Sequence, residues 1–176
     1  SPRHSLASRR CSADVDVFGS SSFQVGGMTA SSNDKLTKLQ RDVLSAFFAR
    51  ERGFYLTGGA ALAGFYLHHR ETTDLDLFTL DDTTFERGRR VLEGVARSLG
   101  ASVVVRQHEP GFERYVIERG LEALIVDLVR ESAPQTAGDK IDRDGIRLDP
   151  APEILANKLN TILSRGEVRD LVDVLL

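Results

Sequence analysis

The stretch from Phe54 to Phe78, FYLTGGAALAGFYLHHRETTDLDLF, constrains this chain more than any other. A short apolar run, a Gly-Gly pair and a small-residue segment read as strand, tight turn and short helix. A basic-polar loop then leads to a second strand carrying Asp74 and Asp76. Successive side chains on a strand point to opposite faces. Asp74 and Asp76 therefore share one face, while Leu75 and Leu77 share the other and can enter a core. Two carboxylates so close repel each other, so the bare pair is unfavourable. A divalent cation reverses that, because hard carboxylate oxygens are the ligands Mg²⁺ and Mn²⁺ prefer. The pattern points to metal-assisted phosphoryl or nucleotidyl transfer.

The rest of the chain bounds what can surround this element. Its 176 residues fit one domain, or one domain with a small appendage. There is no Trp, and nine Phe and three Tyr leave most of the core to aliphatic side chains. A formal net charge of −3 gives no whole-protein attraction to nucleic acid or an acidic membrane, so any such contact needs a local patch. No apolar run approaches the roughly 20 residues of a membrane span. The single cysteine, Cys11, has no internal partner, which is compatible with a reducing cytoplasm. Residues 1–33 are Ser/Gly-rich and read as a disordered leader or tag without a chemical role, with translation expected to begin at Met28. Asp14-Val15-Asp16 imitates the later aspartate pair but has no Gly-Gly turn before it.

Hydrophobic periodicity orders the remainder. Ser32-Asn33-Asp34 is expected to cap a helix running to about Arg52, with Leu36, Leu39, Val43, Leu44, Phe47 and Phe48 on one face. Phe54–Thr57 is a strand, Ala60–His68 a short helix and Asp74–Leu80 a second strand. The run Asp81-Asp82-Thr83-Thr84 caps a helix to about Leu99, ended by Gly100. Ser102–Arg106, Phe112–Ile117 and Ala123–Val129 read as strands, the last nearly all apolar but broken by Asp127. A turn-rich stretch holds a small hairpin around Asp144-Gly145. Asp149-Pro150 then opens a helix from Ala151 to Ser164, and a final amphipathic helix from Glu167 either packs as the last element or continues beyond Leu176. The expected domains are a core over 34–148 and a helical segment over 149–176. A mixed sheet with flanking helices is the simplest architecture.

Five segments carry the resemblance. Gly58-Gly59-Ala60-Ala61-Leu62, Tyr66-Leu67 with His69-Arg70, and Asp74-Leu75-Asp76-Leu77-Phe78 are joined by Ile154-Leu155-Ala156-Asn157-Lys158-Leu159-Asn160 and by Arg165 through Asp173. Over residues 35–176 the chain resembles the AbiEii/AbiGii toxin nucleotidyltransferases, of the DNA polymerase β-like superfamily. The resemblance implies an α+β polymerase β-like nucleotidyltransferase fold, a mixed sheet with flanking helices and a short C-terminal helical part. It assigns Asp74, Asp76 and Asp127 to metal, Gly58 and Gly59 to the turn that meets phosphate, Lys158 to the triphosphate and Asp170 to positioning of substrate or metal. Two positions depart from the family's pattern: Gly59 and Thr72 stand where Ser is common. The implied cofactor is Mg²⁺ or Mn²⁺ and the implied substrate an NTP. The implied acceptor is the tRNA 3′ end, in a cytoplasmic toxin paired with an antitoxin protein and with no membrane partner.

Physical logic runs beside it. Nucleotidyl transfer is an in-line displacement at phosphorus, in which cations stabilise the entering and leaving oxygens. Side-chain-free glycines let backbone N–H groups approach phosphate, and a lysine adds charge for the departing pyrophosphate. Asp127 could act as general base. Competing readings stay open: Asp127 could be salt-bridged to Arg70 or Arg130, Lys158 could be a surface lysine, and Asp170 a helix-start charge. Arg70 could bind substrate or brace the aspartate strand, and His69 could contact substrate. The Arg87, Arg89, Arg90 and Arg97 cluster could be a solvated helix face or an RNA contact. Alternatives to tRNA are an aminoglycoside-like small molecule or a protein hydroxyl as acceptor, or a catalytically weak NTP-binding module.

Overall fold

In the computed structural model, which describes residues 35–136 and 139–165, the Asp74–Leu77 alternation does what its chemistry demands. Leu75 and Leu77 are completely buried, while Asp74, Asp76 and Phe78 lie half-buried on the opposite face. The elements run α1 (Lys38–Phe48), β1 (Tyr55–Thr57), α2 (Gly58–Ala61) continued by a π-helical turn (Leu62–Tyr66), β2 (Asp74–Thr79), α3 (Asp82–Ser98), β3 (Ser102–Glu109), β4 (Phe112–Arg119), β5 (Glu122–Arg130), β6 (Ile141–Arg143), β7 (Ile146–Leu148) and α4 (Ala151–Arg165). All fall in the unit Ser31–Leu176. The leader over 1–33, Met28, Asp170 and the expected last helix lie outside the described residues.

One seven-stranded sheet has the order β3-β4-β5-β2-β1-β7-β6. Neighbours are antiparallel except β2 with β5 and β1 with β7, which are parallel. The mixed α+β architecture is therefore as expected. Its core gathers Leu39, Val43, Leu44, Phe47 and Phe48 of α1 with Leu92 and Val95 of α3, over Leu75, Leu77, Val126 and Leu128 of the sheet. The acid-bearing face of β2 is opposite these helices.

Local chemistry explains the boundaries. The α1 cap is Thr37, not the earlier Ser32-Asn33-Asp34: its hydroxyl accepts from the Gln40 N–H while Gln40 reaches back to the Thr37 N–H, a complete capping box. At α3 the Asp81 carboxylate accepts from the Thr84 N–H at 2.7 Å, so that cap sits within the acidic-threonine run that signalled it. The helix after the Gly-Gly turn starts two residues earlier than expected, at Gly58, and ends two residues earlier, at Tyr66. It widens to π geometry, with the Leu67 N–H donating to the Leu62 carbonyl at 2.7 Å, and the left-handed His68 follows (φ 53°). β3 runs past Arg106 to Glu109 as an edge strand paired to β4, with a bulge between Val105 and Gln107. The hairpin at Asp144-Gly145 is real. Both residues have positive φ, 52° and 78°, as the mirror-image two-residue turn requires, and its second strand, β7, joins the main sheet beside β1.

Candidate active site

Strand register builds the site. Thr57 of β1 stands opposite Asp76, Asp76 opposite Asp127 of β5, and Asp127 opposite Arg114 of β4. Four side chains thus form one row across four strands on the face that α1 and α3 leave open. Asp74 sits one pleat along β2, where its Oδ1 accepts from the Thr72 hydroxyl at 2.9 Å. The buried Gln40 Nε2 donates to the Thr72 carbonyl at 2.9 Å, so α1 fixes the loop that fixes Asp74. Thr72, at a position where the family pattern has Ser, keeps a hydroxyl where one is used.

Gly58 begins α2 with φ 65° beneath the carboxylate of Asp76, and a Cβ built on it would fall inside that carboxylate. Only glycine fits both demands. Gly58→Ala is expected to lower stability by roughly 2–4 kcal/mol through left-handed strain and the clash. It should also displace Asp76 enough to remove activity from whatever folds; a thermal melt and a transfer assay on the soluble variant check both. Gly59 differs: its Cβ would lie 2.8 Å from Arg70 Nη2. The guanidinium occupies the space a Ser side chain would fill, so Arg70 supplies N–H donors where the family pattern has a hydroxyl.

A cleft of about 360 Å³ opens here, lined by Gly58, Gly59, Arg70, Thr72, Asp74 and Lys158 among others. A second, of about 400 Å³, shares Gly58, Asp76 and Lys158 and continues past Phe78 to Asn157 and Asn160 of α4. Lys158 is half-buried between them. Burial, reinforced by the charges of Asp74 and Asp127, pushes the Asp76 carboxyl up to about 7, against the opposing pull of Lys158 and Arg114. Such a carboxylate is short of positive charge, and with Asp74 on the same face it suits a hard divalent cation.

Asp127 is differently placed. Arg114 Nε donates to its Oδ1 at 2.8 Å and Nη2 to its Oδ2 at 2.7 Å. The ion pair considered with Arg70 or Arg130 is made instead by Arg114, since Arg130 pairs with Asp82 at 2.9 Å. Among the described residues, no group of three or more His, Cys, Asp or Glu is arranged to hold a metal ion. The basic cluster on α3 is on the core side of the sheet, and two of its members are paired, Arg87 with Glu51 and Arg89 with Glu93.

Behind the turn lies a network that sequence patterns do not show. Asp149, with Pro150, stands just before α4, which begins at Ala151 as expected, and its side chain joins this network. Its Oδ1 accepts from Lys140 Nζ at 2.6 Å and its Oδ2 from the Thr57 hydroxyl at 2.9 Å, and the side chains of Lys140 and Asp149 are 6% and 1% exposed. The Tyr66 hydroxyl donates to the Asp149 carbonyl at 2.8 Å. This network clamps Thr57, the residue immediately before Gly58.

A mixed sheet, a paired-aspartate strand and a preceding glycine turn define a nucleotidyltransferase-type fold. The chain belongs to the family "Nucleotidyl transferase AbiEii toxin, Type IV TA system", whose model matches residues 39–176. Two solved structures from Helicobacter pylori share the fold at 20% identity. One is described as a candidate nucleotidyltransferase (TM-score 0.57, covering 77% of this chain and 63% of that one). The other is JHP933 (TM-score 0.56, 78% and 62%). The chain therefore spans less than two thirds of either. No curated protein matches it. Among the described residues, no helix is long and apolar enough to cross a membrane.

Proposed function

We propose that this chain is a divalent-metal-dependent nucleotidyltransferase that moves NMP from an NTP to an acceptor hydroxyl, the tRNA 3′ end. In this reading it acts in the cytoplasm as the toxin of a toxin–antitoxin pair, with an antitoxin protein as partner. One observation carries the chemistry: the Asp74/Asp76 pair lies against the Gly58-Gly59 turn in a cleft that also presents Arg70 and Lys158. Asp74 and Asp76 would hold Mg²⁺ or Mn²⁺, which when bound supplies charge stabilisation at the reacting phosphate. Gly59, Arg70 and Lys158 bind and orient the triphosphate, and Lys158 meets the charge growing on pyrophosphate as it leaves. The acceptor oxygen bonds to the α-phosphorus as the bond to pyrophosphate breaks, and the hydroxyl proton passes to solvent in the cleft. The nucleoside extends from Asp76 into the second cleft, where Phe78 offers an aromatic face and Asn157 and Asn160 carry amides. Asp127, next in the row, marks the side from which the acceptor approaches.

A polyanionic acceptor is favoured by the cations Arg70, Arg114 and Lys158 around the acids. Asp170 lies outside the described residues, and a positioning role for it remains part of this proposal. Incubation with each α-labelled NTP, Mg²⁺ and total RNA tests the acceptor. Label on tRNA is the expected result, whereas label confined to a small molecule or to protein would replace the acceptor while keeping the reaction.

A further inference from the structure

Resting on the reading of Asp74 and Asp76 as a cation-binding pair, we infer that Arg114 keeps Asp127 out of the metal set. The substrate-free site then takes one divalent cation per chain, and the guanidinium is the permanent positive charge on the Asp127 side.

Both oxygens of Asp127 accept from one guanidinium, at 2.8 and 2.7 Å, in the parallel two-bond geometry that fits arginine to carboxylate. The pair is built in by register, because Arg114 and Asp127 are direct cross-strand partners. It is also held from behind: the Arg114 guanidinium lies over the Phe112 ring at 5.6 Å. Asp127 is nearly buried, its side chain 7% exposed, so it has little freedom to turn away. Arginine does not give up its proton in proteins, so the charge stays in place across the working pH range. Any cation drawn to Asp127 would meet a like charge at hydrogen-bonding distance from the same oxygens, in a partly buried site where screening is weak. Arg114 is near enough to ease the charge on Asp76, so it acts on the whole acid row. It is a positioning residue in this account: it fixes Asp127 and the number of ions the acids accept.

Counting bound Mn²⁺ on the full chain by electron paramagnetic resonance, without nucleotide, tests this independently of turnover. Expected are one ion for the wild type and one for Asp127→Asn. Arg114→Gln, which removes the charge and frees Asp127, should bind two, and the double variant should return to one. Two ions on the wild type, or loss of the single ion in Asp127→Asn, overturns the inference while leaving the Asp74/Asp76 reading intact. A folded Arg114→Gln that still binds one ion overturns it too, and if that variant does not fold, the wild-type and Asp127→Asn counts decide. No Mn²⁺ on the wild type would remove the metal reading itself, and the inference with it.

Discussion

Asp76→Asn is expected to reduce nucleotidyl transfer by about 10³-fold or more, because it removes one of the two carboxylates that would hold the cation at the reacting phosphate. The same change should make the metal-free protein more stable, and the sign follows from its carboxyl. Burial and two neighbouring acids raise it from an ordinary 3.8 to about 7. In the unfolded chain the proton leaves as pH rises past about 4, while the folded chain keeps it until about 7. Stability from this group therefore falls as pH rises between those values, and the full penalty is present above 7. Asparagine has no such penalty. Water in the cleft screens the carboxylate, so the gain at pH 8 should be about 1–2 kcal/mol, shrinking towards zero near pH 4. Added Mg²⁺ should raise the melting temperature of the wild type and not of the variant. Melts in EDTA at pH 4.5 and pH 8 check the sign; a variant less stable than wild type at pH 8 would contradict it.

Lys140→Met should be the most destabilising single change outside the hydrophobic core. It leaves the Asp149 carboxylate buried without its charged partner, while the Thr57 hydroxyl still donates to it. Breaking one partner of a buried ion pair costs about 3–5 kcal/mol, roughly 6–20 °C in melting temperature for a chain of this size. Burial already raises the Asp149 carboxyl, and the Lys140 and Thr57 hydrogen bonds pull it back down. Without Lys140 it rises further, so the variant loses most stability at high pH and recovers part of it as Asp149 takes up a proton in acid. Lys140→Met/Asp149→Asn should recover much of the loss at pH 8, since no bare charge remains. Because Asp149 also holds Thr57, the single variant should lose transfer activity even at temperatures where it is folded. A single variant with a wild-type melt would show that the pair adds nothing.

These two sites differ in how far the sequence reveals them. The Asp74–Leu77 alternation, the Gly58-Gly59 turn, the acidic cap of α3 and the Asp144-Gly145 hairpin are local, governed by pleat, cap and turn chemistry within a few residues. Each is legible in the sequence alone. Arg114 occupies an outward position on an alternating strand and looks like a solvated charge; only the pairing of β4 with β5 puts it on Asp127. Lys140 and Asp149 come together through β7 lying beside β1, and no spacing announces that. Asp149 before Pro150 reads correctly as the start of a helix, but nothing local shows that its carboxylate meets a buried lysine and a threonine. Gln40 is equally ordinary in the sequence, on a helix recognised by its apolar stripe, yet it ties that helix to the loop holding Asp74. Long-range register is the missing information in each case.

The central claim is that the Asp74/Asp76 cleft transfers a nucleotidyl group, not a phosphate and not merely a bound nucleotide. Parallel reactions with the same NTP labelled at the α or the γ position, with Mg²⁺ and total RNA, test it most directly. The account predicts that α label becomes covalently attached to an acceptor while γ label leaves as pyrophosphate, and that both outcomes vanish in Asp76→Asn. Attachment of γ label, or nucleotide bound with neither label transferred to any acceptor, would contradict it.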